Sequence, residues 1–224
     1  AQVYSTADNV MSELLSLKPK PGVQEDNGAS FEELLAVNGD VCAWLTLDGT
    51  RIDYPILQGE DNLSYINTDV YGSFALAGSI FLDSRCDNTF HDAYALVYGH
   101  HMDNGRMFGD LDKYKDGKFF GENSVGALIL PDRSYTLEIF ACMLVPAAEG
   151  MIFDTQMRQT DIGGLLDFAE AEAVHLRPDT VEAARGAESP QIIALSTCSS
   201  EYTDARTIVL AYMTPYTTET QVGG

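Results

Sequence analysis

Apolar residues along this chain gather in short runs separated by turn formers. Residues 42–47 and 51–57 flank Asp48-Gly49-Thr50, a spacing that predicts a hairpin. Further runs at 77–82, 94–98, 125–130, 135–145, 191–197 and 207–213 have strand length, and Pro131-Asp132-Arg133-Ser134 makes a turn between two of them. Helical spacing is confined to a few stretches. Residues 5–17 carry Val10, Met11, Leu14 and Leu15 on one face, and Lys18-Pro19-Lys20-Pro21-Gly22 breaks the helix. Ser30-Phe31-Glu32-Glu33 reads as a capping box opening a second helix through Leu35. Short helices are expected at 61–67 and around 107–114, and a longer one at 161–175 with Ile162, Leu165, Leu166 and Phe168 on its apolar side. About eight strands interrupted by helices predict a mainly β chain that closes, or nearly closes, into a barrel.

At 224 residues the chain can bury a sizeable core in one domain. Its charge changes the picture more: 34 acidic against 13 basic residues give −21. Nucleic acid is excluded as a partner, because phosphate binding needs a basic patch, and an anionic membrane surface is disfavoured. The charge reads as solubility; a preference for cationic substrates has no local support. The sequence carries no transmembrane segment, signal peptide or lipidation motif.

Four cysteines stand at 42, 86, 142 and 198, with no CxxC pair for a metal or redox centre. Cys42 and Cys142 lie inside apolar runs and read as small buried hydrophobes. Cys86 follows Asp83-Ser84-Arg85 in a loop, free or paired. Cys198 differs, because the run Ile192-Ile193-Ala194-Leu195-Ser196-Thr197 ends on it and Arg206 opens the next run eight residues later. Strand, loop and strand would put a thiol and a permanent cation at one sheet edge. The thiol can act as nucleophile and the guanidinium can hold a developing oxyanion. Asp204, two residues before Arg206, reads as solvated or paired with that arginine.

The base must come from four histidines. His91 sits in a polar loop stretch, and His175 near the end of the predicted long helix. His100 closes the run Tyr94-Ala95-Leu96-Val97-Tyr98-Gly99, where Gly99 would let another backbone approach closely. His101 would point to the opposite side in extended geometry. Taken alone, a strand-end histidine is more often structural than catalytic.

Leu195-Ser196-Thr197-Cys198 with Arg206, and Tyr98-Gly99-His100 upstream, resemble the signature of sortases, the cysteine transpeptidases of Gram-positive surfaces. Ala43-Trp44-Leu45, Ile52-Asp53-Tyr54-Pro55-Ile56, Asp61-Asn62, Tyr71-Gly72, Gly78-Ser79-Ile80-Phe81-Leu82-Asp83 and Met107-Phe108-Gly109-Asp110-Leu111 resemble the class B pattern in order and spacing. The resemblance implies an eight-stranded sortase-type β-barrel over 38–216. N-terminal helices would occupy 1–37, a helical insertion between strands six and seven 145–190, and a flexible tail 217–224.

The same resemblance implies roles. Cys198 would attack a substrate threonine carbonyl as thiolate, His100 would act as general acid and then base, and Arg206 would stabilise the oxyanion. Asn62, Ile66, Ser196, Thr197 and Ser199 would contact substrate, and residues 151–155 would form the opposite wall; core packing is an equal reading of Ile66. The substrate would be a C-terminal sorting signal, Asn-Pro-x-Thr-Asn-like or Pro-x-Thr-Gly-like. The acceptor would be an amine on a cell-wall precursor or a pilin. A thiol peptidase using water and a catalytically idle peptide-binding barrel are the alternatives. No cofactor or metal is implied, and the acidic residues lack EF-hand spacing. The resemblance further implies a monomer at the extracellular face of the cell membrane, cut from its N-terminal anchor. Two departures stand out: Ala194 where the family more often has Thr, and Ser199 where some members carry an acidic residue.

Overall fold

The computed structural model describes residues 2–22, 28–198 and 204–217. Two helices, α1 (Gln2–Leu15) and α2 (Gly28–Val37), precede the sheet. Then come β1 (Val41–Leu47), β2 (Asp53–Leu57), β3 (Ile80–Leu82) and β4 (Tyr94–Gly99). Two 3-10 helices (Asp103–Gly105 and Gly109–Lys115) and α3 (Gly117–Glu122) lead to β5 (Val125–Ile129) and β6 (Ser134–Pro146). An excursion follows through α4 (Gly150–Phe153), α5 (Thr155–Arg158), α6 (Ile162–Glu172), the two-residue β7 (His175–Leu176) and α7 (Pro178–Gly186). The chain returns along β8 (Gln191–Thr197) and β9 (Ala205–Pro215).

The strands run in the order β5-β1-β2-β3-β4-β8-β9-β6, and β5 also pairs with β6, closing an eight-stranded barrel; β7 is appended to β6. Closure removes the sheet edges that would otherwise invite pairing with another chain. The insertion expected between strands six and seven lies between β6 and β8, which are the sixth and seventh strands of the closed ring. β6 is long enough to pair with β5 through its first half and with β9 along most of its length.

Alternation in β1 to β3 builds two apolar layers. Ala43, Leu45, Tyr54, Ile56, Ile80 and Leu82 fill the interior. Trp44, Leu57 and Phe81 face outward, under Leu14 of α1 and Phe31 and Leu34 of α2. Burial of each such side chain contributes about 1.5–3 kcal/mol, so the two helices are held mainly by this outer layer. Polar ties add to the placement of α1 and the turn after it: Lys18 pairs with Asp53 at 2.9 Å, and Arg106 Nε donates to Asp8 at 2.7 Å. β4 is buried on both sides because the insertion covers its outer face, and so it reads as an unbroken apolar run.

Several sequence expectations need correction. Residues 61–67 form turns instead of a helix, because the Asp61 carboxylate accepts from the backbone N–H groups of Leu63 and Ser64 at 2.9 Å. Such local bonds compete with helical ones. Ser30 lies inside α2, which begins at Gly28, so it does not open the helix. α6 ends at Glu172, with Ala173 already extended, and His175 belongs to β7. His175 Nε2 faces the Lys115 carbonyl oxygen at 2.8 Å, and its ring lies 5.5 Å from that of Phe120. The sequence reading missed α7, although Pro178 stands at its first turn and Val181 and Ala184 share its buried face.

Candidate active site

The parallel pairing of β4 with β8 sets the site. Gly99 stands opposite Thr197, and one residue further the Cys198 N–H donates to the Gly99 carbonyl at 2.8 Å. Cys198 and His100 therefore leave adjacent strands at the same barrel mouth. β9 runs back beside β8, and the Thr207 N–H donates to Thr197 Oγ1 at 3.0 Å, which brings Arg206 to the same mouth. Arg206 is half-buried, and its charge is close enough to Cys198 to favour the thiolate. Burial acts the other way and more strongly, pushing the Cys198 thiol up to about 12. Burial thus favours the thiol over the thiolate at Cys198.

His100 is held by the connection between β2 and β3. Its Nε2 lies 2.6 Å from the Ile66 carbonyl oxygen, so that nitrogen carries the proton and Nδ1 is left as the acceptor of the neutral ring. The expectation that Gly99 admits another backbone is corrected: a Cβ there would meet Ile80 Cδ1 at 2.5 Å and the Phe108 ring at 2.7 Å. Gly99 makes room for the core side chains Ile80 and Phe108.

Asn62 and Ile66 lie on the connection between β2 and β3. Asn62 Nδ2 donates to Asp83 Oδ2 at 3.0 Å and its oxygen accepts from the Ser84 N–H at 2.7 Å. Ile66 is half-buried against the outer apolar layer, where Tyr98 and Cys198 also pack. Ser196 is fully buried and donates to the Thr197 carbonyl, while Thr197 itself is 4% exposed. Both lie beneath the cysteine. Ser199 lies outside the described residues.

Asp83 is a buried hub beside these residues that sequence reading passed over. Its side chain is fully buried and holds Arg85 through two hydrogen bonds of 2.9 Å, Asn62, and the Tyr98 hydroxyl at 3.0 Å. Burial pushes its carboxyl up, but Arg85 and Tyr98 outweigh that and hold it below the usual range. Arg85 continues to the Phe153 carbonyl at 2.8 Å, and Phe153 stacks on Tyr98 at 6.4 Å. One buried carboxylate thus ties Asn62, the strand beside Cys198 and the 151–155 segment together. A lone acid ending the apolar triplet Ile80-Phe81-Leu82 was the available signal, since a buried charge must be paired.

An apolar cavity of about 570 Å³ lies between α1 and the β2–β3 connection, and neither Cys198, His100 nor Arg206 lines it. The described cysteines are all free, and no described cluster of His, Cys, Asp and Glu could hold a metal. Among the described residues no helix is long and apolar enough to cross a membrane.

No family model matches the chain. It is 34% identical over 172 residues to sortase B of Listeria monocytogenes, covering 76% of this chain and 68% of that protein. Its fold matches a Streptococcus pyogenes class B sortase involved in pilus biogenesis, with TM-score 0.73 and 37% identity over 84% of this chain and 99% of that one. It also matches sortase B of Staphylococcus aureus in a substrate complex, with TM-score 0.77 and 25% identity over 95% of each chain. The chain belongs to the class B sortases, cysteine transpeptidases that cleave sorting signals at Gram-positive cell surfaces.

Proposed function

We propose that the protein cleaves an Asn-Pro-x-Thr-Asn-like or Pro-x-Thr-Gly-like signal after its threonine and passes the acyl group to a cell-wall precursor amine. Cys198, His100 and Arg206 carry the reaction. The observation behind this reading is their departure from three neighbouring strands at one barrel mouth, tied by the Cys198–Gly99 and Thr207–Thr197 bonds.

The Cys198 proton passes to His100 Nδ1 as sulfur attacks the threonine carbonyl carbon. Arg206 N–H groups stabilise the oxyanion that forms. Collapse breaks the C–N bond, and the imidazolium returns its proton to the leaving amine, leaving a thioester. His100 then takes a proton from the acceptor amine as it attacks the thioester, and the thiol is restored. The Nε2–Ile66 bond supports this assignment, because it leaves Nδ1 free to accept.

Asn62 and Ile66 would line the signal-binding groove, with 151–155 opposite. Ser196 and Thr197 would act from beneath, by holding the cysteine, and Ser199 would follow it along the substrate. A pilin lysine is a second acceptor, supported by similarity to the Streptococcus pyogenes enzyme. The reading puts the protein at the extracellular face of the membrane as a monomer, with 1–37 as an appendage to the catalytic barrel 38–216; of the tail expected at 217–224, residues 218–224 lie outside the described residues. A panel of sorting-signal peptides, incubated with and without amine, tests the reaction. Amine-dependent ligation supports transpeptidation. Cleavage indifferent to amine would mark a hydrolase, and binding without turnover an idle module.

A further inference from the structure

The residue next to each proposed catalytic group belongs to one hydrogen-bonded chain. His101 follows His100, Thr207 follows Arg206, and Thr197 precedes Cys198. Asp112, in the second 3-10 helix, joins the first two: its Oδ2 lies 2.8 Å from His101 Nε2, and its Oδ1 accepts the Thr207 hydroxyl at 2.9 Å. The Thr207 N–H continues to Thr197 Oγ1 at 3.0 Å. Lys115 Nζ supplies a third donor to Asp112, 2.6 Å from Oδ1.

We propose that Asp112 is a positioning residue for the reaction, fixing the separation of the imidazole strand from the guanidinium strand. This rests on the assignment of Cys198, His100 and Arg206 proposed above. β4 and β9 do not pair with each other, because β8 lies between them. β8 spaces the two strands through the backbone, and the Asp112 bonds to His101 and Thr207 add a direct side-chain strut between the residues next to His100 and Arg206. The strut takes one donor on each oxygen of the carboxylate, His101 on Oδ2 and Thr207 on Oδ1. Reacting groups misplaced by about 1 Å lose on the order of 100-fold in rate, a loss that falls on turnover more than on substrate binding.

Asp112→Asn removes the charge while keeping the shape, and Thr207→Val removes only the hydroxyl, leaving the Thr207 N–H on Thr197. Each variant is compared with wild type in peptide transpeptidation and in alkylation of Cys198 by iodoacetamide, with thermal melting as control. Both are expected to lower kcat at least about tenfold with KM within about twofold, and to slow alkylation about threefold or more. The double variant should be no worse than the poorer single one, since both cut one strut. Unchanged kcat and alkylation, a loss confined to KM, or fully additive losses would overturn the proposal. If the wild type cleaves no sorting signal, the transpeptidase mechanism fails, while the alkylation comparison still decides the role of Asp112.

Discussion

His100 donates from Nε2 to the carbonyl oxygen of Ile66 over 2.6 Å, and Gly78 leaves the space in which that carbonyl sits. Gly78 has φ +58, and a Cβ on it would stand 2.2 Å from the Ile66 oxygen and 2.7 Å from that of Tyr65. Gly78→Ala must therefore move the carbonyl and the ring that leans on it. We expect a stability loss of about 1–3 kcal/mol and a fall in kcat/KM of about 100-fold. Steady-state kinetics beside a urea melt checks both. A variant that loses stability and keeps full activity would detach His100 from this support.

The thiol of Cys198 gives a pH signature. Burial raises it to about 12, with Arg206 pulling the other way. Without substrate, alkylation should climb about tenfold per pH unit from neutrality upward, with no plateau. Arg206→Gln removes the attraction and should slow alkylation at every pH. A plateau near neutral pH would mean a resting thiolate–imidazolium pair and contradict this account.

Asp83 links stability to acidity. Its carboxyl is held below the usual range in the folded protein. Its contribution is therefore whole above the unfolded value of about 4 and is lost as pH falls through the folded value. Asp83→Asn weakens the bonds of a buried carboxylate to Arg85, Asn62 and Tyr98; because Arg85 is 45% exposed and can be solvated, the change should cost about 1–2 kcal/mol at neutral pH. Denaturant melts should show this gap shrinking in strong acid. A pH-independent gap would mean that packing, not charge, is what Asp83 supplies.

The strands were readable because their apolar runs are short and end on chemistry. Residues 191–197 stop at Cys198 and 94–98 stop one glycine before His100, so the site could be placed at strand ends from the sequence. The helical insertion was implied by the class B resemblance, with 145–190 separating two strand candidates and holding the helix expected at 161–175. What sequence could not give was side-chain partnership across distance. Asp83 meets Asn62, Tyr98 and Phe153's neighbour Arg85 only because β3, β4 and the insertion converge. Asp112 looks like one more acid on a polar turn until the fold brings His101 and Thr207 to it. The 61–67 segment misled because its apolar spacing suits a helix, whereas the Asp61 side chain captures the N–H groups that would begin one.

The most direct test traps the covalent intermediate. The protein is mixed briefly with a sorting-signal peptide, quenched in acid and examined by intact mass and peptide mapping. The account predicts an adduct of the peptide fragment ending in threonine, carried on Cys198, released by hydroxylamine and absent from Cys198→Ala. An adduct on any other residue, or turnover by Cys198→Ala, would contradict it.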